Sequence, residues 1–306
     1  MSISTTAQNP NTVTSGRTRK AGMARMLWSN PRARVGIIIL VGMILVAVFA
    51  PVLAPYNPSA NSFLPSQPPS WTHLLGTTLQ GQDILSQLIW GSRNSLGVGF
   101  AVGIIATALS LLFGVLPSLG GKLLNTSFST FTNVVLILPG LPLLIVLSAY
   151  LHSSGAVTIA AVIGFTGWAW GSRTLRSQVM TLRQRDFVIA ARLAGSSQIR
   201  LLTREILPNM LSLVVANFMF SILFGILSEA GLQFLGLGNV NAVSWGSIIY
   251  WAENGSALLL HMWWWFIPPG AAIALVGIAL ALVNSGIDQI SNPRLRSTAR
   301  KGGRNQ

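Results

Sequence analysis

The chain has no cysteine, only 8% charged residues, and six acids against twenty lysines and arginines. Without cysteine there is no disulfide, no thiolate metal site and no cysteine nucleophile, and the redox compartment stays open. The three histidines, His73, His152 and His261, are widely separated. They could belong to a nickel path, but separate interfacial histidines are the simpler reading. The acids are Asp83, Asp186, Glu205, Glu229, Glu253 and Asp288, and none falls at the middle of an apolar run. A proton- or sodium-driven carrier usually places ionisable groups there, so that class is disfavoured. No nucleophile stands paired with a base at the end of a run, which argues against an intramembrane enzyme. The phosphate loop is absent too. The stretch GVLPSLGGKLL has Leu116 where the first glycine of G-x-x-x-x-G-K-[ST] belongs and Leu123 in place of the hydroxyl residue. No ATPase of its own is visible.

What is present is hydrophobic. Apolar residues make up 51% of the 306, and the mean hydropathy is +0.59. The charged fraction is about a third of the usual ~25%. These values describe an all-α, polytopic membrane protein. Six runs predict six transmembrane helices, at residues 35–53, 95–119, 128–151, 155–171, 211–232 and 266–284. The first is read as a retained helix, because the apolar region of a cleavable signal peptide is shorter, ~7–15 residues. In the second, Gly97, Gly99 and Gly103 offer close approach to a neighbour. The third should bend at Pro139 and Pro142, where backbone hydrogen bonds are lost. Trp263, Trp264 and Trp265 stand where an aromatic belt belongs, at the start of the sixth.

Between the runs, residues 1–34 form a basic tail, 54–94 and 233–265 two weakly charged loops, 172–210 a basic loop, and 289–306 a second basic tail. The net charge of +14 would suggest nucleic acid in a soluble protein. Here the basic residues flank apolar spans, which the positive-inside rule explains without nucleic acid. Alternating six spans from an inside N-terminus puts every Lys and Arg inside except Arg93. Both tails and the basic loop are therefore expected to be cytoplasmic, and 54–94 and 233–265 extracytoplasmic. Asp83 and Arg93 could pair across the first outer loop, or simply form a solvated helix face.

The basic loop holds the stretch DFVIAARLAGSSQIRLLTREILP. Asp186 is a plausible N-cap. Phe187, Ala190, Ala191 and Ala194 repeat at helical spacing, with Arg192 off that stripe. Gly195 supplies a turn that needs no Cβ. Ile199, Leu202 and Ile206 then mark one side of a second short helix, which Pro208 stops. The expectation is a bent helical hairpin, greasy on one face and basic on the other. A surface-lying amphipathic helix is the competing picture, but it needs neither a glycine break nor a proline stop.

With Ala190, Ala191, Gly195, Leu207 and Pro208 at its spacing, this stretch resembles the cytoplasmic coupling loop of permease subunits in bacterial ABC importers. Ile189 stands where that family has a glutamate. Residues 73–96, through Leu75, Gly76, Thr77, Gly81, Asp83, Leu85 and Ser86, are similar to the outer signature of the dipeptide/oligopeptide/nickel branch, second-subunit type. The run LGLG and Ser244, Trp245 and Gly246 are similar to its last outer loop. Thr78, Gln82 and Gln87 replace charges of that pattern, which leans toward an uncharged cargo.

The resemblance covers residues 33–295 and implies a type I importer permease fold with a five-helix core at 95–288. It implies alternating access driven by two separate ATP-binding cassette subunits that grip the hairpin. A second permease of similar fold and an extracytoplasmic substrate-binding protein complete the assembly, and no cofactor or metal is expected. It assigns coupling to Asp186, Phe187, Ile189, Ala190, Ala191, Arg192, Gly195, Ile199, Leu202, Leu207 and Pro208. Docking of the binding protein falls to Gly76, Thr77, Asp83, Ser244, Trp245 and Gly246. Asn133 and Asn217 are polar residues within spans and candidates for the substrate path, although interhelical bonding is their commoner use. A membrane anchor recruiting a partner through its basic loop is the alternative function. The cargo stays open among peptides, nickel chelates, glutathione and oligosaccharides.

Overall fold

The computed structural model describes residue 28 and residues 30–150 and 155–291. Most of the two basic tails and His152 lie outside the described residues. Nine helices of eight or more residues organise the described chain: α1 Pro31–Val48, α2 Ile84–Gly114, α3 Lys122–Ile137, α4 Gly140–Tyr150, α5 Ala156–Arg183, α6 Asp186–Leu193, α7 Leu211–Phe234, α8 Trp245–Asn254 and α9 Trp263–Ser291. Among the described residues there is no strand, only an isolated bridge between Thr77 and Asp83.

Among the described residues, four helical stretches are long and apolar enough to cross a membrane: Pro31–Val48, Ile84–Leu119, Leu211–Phe234 and Trp263–Ile287. The α3–α4 pair passes the same test as one broken span, bent by 80°. Pro139 sits at that break, where its ring removes a donor. The fourth expected span, 155–171, falls in α5, which does not stop at Gly171 but runs on to Arg183. Its second half carries Arg173, Arg176 and Arg183, so the helix passes from apolar to basic along its length. The second expected span also starts earlier, at Ile84 rather than 95, because Asp83 caps it: its Oδ2 accepts from the Ser86 backbone N–H at 2.8 Å and from the Ser86 hydroxyl at 2.6 Å.

The core is built on α2. Its small residues let α7 approach: a Cβ on Gly99 would lie 2.5 Å from Ile226 Cγ1, and one on Gly103 would lie 2.7 Å from Ile222 Cγ1. Gly97, expected with them, faces open space instead. One apolar cluster joins Ile84 and Leu96 of α2, Ile222 and Ile226 of α7, Trp245 and Ile248 of α8, and Trp265, Val276 and Leu280 of α9. The expected aromatic belt is therefore split. Trp265 is buried in this cluster and Trp264 packs against it, which leaves Trp263 exposed. A second cluster lies at the other end of α2, around Val115, Leu175, Val179 and Leu182.

Candidate functional site

The second cluster is the seat of the basic hairpin. In α6, Val188 is fully buried and Ala191 packs beside it, whereas Phe187, Ile189 and Leu193 are exposed, as is Ile199 beyond the turn. Of the stripe that spacing suggested, Phe187, Ala190, Ala191 and Ala194, only Ala191 packs inward, and Val188 takes the buried place beside it. In the second arm Leu201, Leu202 and Ile206 are buried and Leu207 packs on them, so Ile199 leaves the face expected for it. Asp186 is the first helical residue and Arg185 the cap, without a side-chain bond. The Asp186 carboxylate still stands at the positive end of the helix.

The turn forms as its glycine demands. Gly195 takes φ +80°, its N–H bonds the Arg192 carbonyl at 3.0 Å, and the Ser196 N–H bonds the Ala191 carbonyl at 3.1 Å. These two bonds are the Schellman pair that closes a helix on a left-handed residue. Ser197 then caps the second arm. Leu201–Ile206 is wound as a π-helix, one turn before Pro208. Without an N–H and with a ring that crowds the preceding turn, Pro208 favours this wider winding. Two arginines of α5 fasten the seat: Arg176 donates to the Asn125 carbonyl at 2.6 Å, and Arg183 to the Ser118 carbonyl. Arg192, Arg200 and Arg204 stay exposed on the outer face of the hairpin.

The opposite end of α2 carries the residues expected to dock a partner, and all six are buried. Thr77, Asp83, Ser244 and Trp245 are at most 1% exposed, and Gly76 and Gly246 are also inside. They build the surface rather than form it. Asp83 pairs with His73 at 2.9 Å, not with Arg93, because His73 is packed against Tyr56 and Phe63 within reach of the cap. His73 is therefore no lone histidine, and Arg93 lies exposed over Trp90. Thr77 ties the proline-rich segment down, its hydroxyl donating to the Leu64 carbonyl at 2.8 Å. Ser244 and Ser247 form a capping box that starts α8. The Trp245 N–H donates to the Ser95 hydroxyl at 3.1 Å, which in turn donates to Glu229 at 3.2 Å. Glu229, 2% exposed, is a structural acid that spacing alone did not single out. We expect Asp83→Ala to cost about 1–3 kcal/mol, from the lost cap and the orphaned His73, read as a lower unfolding midpoint in detergent.

Beside these buried residues run two adjoining hollows of about 370 and 660 Å³ that share Pro58, Ser59, Asn241 and Val243. Gln80, Gln82, Gln87 and Trp251 line the first, and Asn57, Trp90 and Asn94 the second. Gln87 donates to Gln82 Oε1 at 2.6 Å and Gln82 to Asn61 at 2.8 Å, so the amides are ordered in a chain. Sequence reading picked out the glutamines as lost charges, not as the wall of a groove.

Of the two span asparagines, Asn217 bonds Thr107 at 3.4 Å and lines a cavity of about 210 Å³ with Gly167, Trp170, Phe220 and Phe224. Asn133 is exposed on α3 and does not line it. Among the described residues no three His, Asp or Glu side chains gather as metal ligands.

A bundle of apolar helices with a basic hairpin seated at one end and a grooved polar surface at the other is the architecture expected of a membrane transporter subunit. The comparisons give its family. Residues 99–297 match the family described as binding-protein-dependent transport system inner membrane component. Residues 21–69 match the N-terminal TM domain of oligopeptide transport permease C. The chain belongs to this family, the permease subunits of ABC importers, whose members work with ATPases and a substrate-binding protein. It is 33% identical over 277 residues to a putative peptide transport system permease protein of Brucella abortus, covering 89% of this chain and 91% of that one. It is 30% identical over 271 residues to the oligopeptide transport system permease protein OppC of Bacillus subtilis, covering 88% and 87%.

Proposed function

We propose that this chain is one permease of an ATP-driven importer for peptides or similar small oligomeric solutes, working by alternating access. The observation that carries the reading is the hairpin. It is anchored by Val188, Leu201, Leu202 and Ile206, yet it leaves Phe187, Ile189, Leu193 and Ile199 uncovered at 41%, 43%, 84% and 68% exposure. Apolar side chains on a basic turn beyond the membrane fit the groove of a partner ATPase, with Asp186, Ala190, Arg192, Gly195, Leu207 and Pro208 setting the shape. Motion of that ATPase then passes through the hairpin seat into α2 and α5. The cargo class is supported by the names of the relatives, which are peptide permeases.

The assembly takes two ATPases and a second permease, which would cover the face where Trp170 and Phe220 are 71% and 62% exposed. Asn217 lies on that face, at the edge of a substrate path; Asn133 is the weaker candidate. The segregation of basic residues puts both termini and the hairpin in the cytoplasm. The binding protein then docks on the surface of 54–94 and 233–265. Reporter fusions after Leu207 and Arg296 should read cytoplasmic, and fusions within 58–70 or 238–256 extracytoplasmic. A cytoplasmic signal from 238–256 would overturn this arrangement.

The direct test is reconstitution of both permeases, the ATPases and the binding protein in liposomes. ATP-dependent accumulation of labelled short peptides is expected, and its absence when the binding protein holds the peptide removes the cargo assignment. Ile189→Ala isolates the grip. Its side chain is exposed in the free subunit, so the fold should not change. Loss of its burial against the ATPase should weaken co-purification, by about 1–2 kcal/mol.

A further inference from the structure

We propose that the groove opposite the hairpin receives an uncharged, extended segment of the binding protein, held by amide hydrogen bonds and tryptophan contacts and not by ion pairs. This rests on the docking reading above and specifies its chemistry. The groove and the hairpin lie at the two ends of α2. Trp90 and Leu111 are 21 residues apart on it, about 32 Å along the axis, the thickness of a hydrocarbon core. The groove therefore opens on the face the binding protein reaches.

Its two hollows share four lining residues, and among the described residues none that lines either one is charged. Of the charges near it, Asp83 is bonded to the α2 cap and His73, Arg93 lies exposed over the Trp90 ring at 5.9 Å, and Glu253 is exposed two residues beyond Trp251. What the wall offers is Asn57, Gln80, Asn94 and Asn241, with Trp90 and Trp251 on its sides. An amide both donates and accepts, as a peptide backbone does. Trp251 is itself pinned, its Nε1 donating to the Val240 carbonyl at 3.0 Å, so it stands as a preset platform. A charged segment entering this groove would lose water and gain no counter-charge from the residues that line it. A neutral segment loses little, and its main chain finds partners.

The test uses the complete complex in lipid nanodiscs and its cognate binding protein, with affinity measured between 50 and 500 mM NaCl. Screening weakens ion-paired docking steeply over that range, and a charge-free contact only slightly. The expected change is under about threefold for the intact complex. Asn241→Lys, at an exposed position, is expected to weaken binding about tenfold or more by bringing an unpaired charge into the interface. Retention of the ATPases in the same samples reports an intact assembly. A tenfold loss with salt, or full affinity in Asn241→Lys, overturns the neutral groove while leaving docking itself in place. If the binding protein does not bind the intact complex at all, the docking reading falls and the groove's role with it.

Discussion

Gly195→Val should abolish uptake while leaving the chain in the membrane and folded. The expectation follows from two facts about one residue. Gly195 takes φ +80°, and a Cβ built on it would meet nothing within 4 Å. The penalty is therefore purely conformational, about 1–3 kcal/mol for a β-branched residue forced into the left-handed region. The chain escapes it by leaving that region, which breaks the bonds from Gly195 to Arg192 and from Ser196 to Ala191. The two arms then lose their fixed angle, and the exposed Phe187, Ile189 and Ile199 no longer present one surface. Because space is not limiting, the series has a defined order. Gly195→Asn should keep most activity, since asparagine visits this region readily, Gly195→Ala should keep less, and Gly195→Val least. ATP-driven uptake and co-purified ATPase, measured across the three, check it. Full uptake in the valine variant would show that the turn does not transmit the motion.

Gly114→Leu should cost the fold itself. A Cβ there would lie 2.5 Å from the Ser172 carbonyl oxygen and 3.1 Å from its Cα. Both are backbone atoms, so no rotamer change can make room, and α2 and α5 must part where the hairpin cluster begins at Val115. Overpacking of this kind costs about 1–3 kcal/mol, and more when backbone must move. The expected result is a fall of roughly 5 °C or more in the unfolding midpoint, with loss of the bound ATPase. Gly97→Leu is the control on the same helix, because Gly97 faces open space. Equal damage from both would mean that the α2–α5 contact is not the cause.

The positions read best from sequence were those whose signal is local. Gly195 announced its turn because few other residues take that backbone conformation at low cost, and Pro139 announced the break between α3 and α4. Helix ends were less legible. The start of α2 was read as 95 because Gln87, Arg93 and Asn94 lower the hydropathy of its first turns, although Asp83 before an apolar pair and Ser86 was a readable cap. The continuation of α5 past Gly171 was hidden in the same way by Arg173 and Arg176. Gly76, Thr77, Asp83, Ser244, Trp245 and Gly246 were read as residues that touch a partner, and the structure buries all six. Their burial was not visible, because a residue that shapes a surface and one that touches a partner leave the same mark in a single sequence.

The sequence by itself determined the class of protein, the apolar runs, the segregation of basic residues and the hairpin with its glycine turn. Each follows from composition or from a few neighbouring residues. Only the tertiary structure decided which apolar side chains of that hairpin face inward. In a short helix where Phe187, Val188, Ile189, Ala190 and Ala191 are all apolar, periodicity allows more than one buried stripe. The choice of Val188 and the release of Ile189 depend on where α5 and the end of α2 cross beneath. The same holds at the other end. Glu229 meets Ser95, and Gln87 meets Pro58, across 134 and 29 residues of chain, a separation over which no local pattern extends.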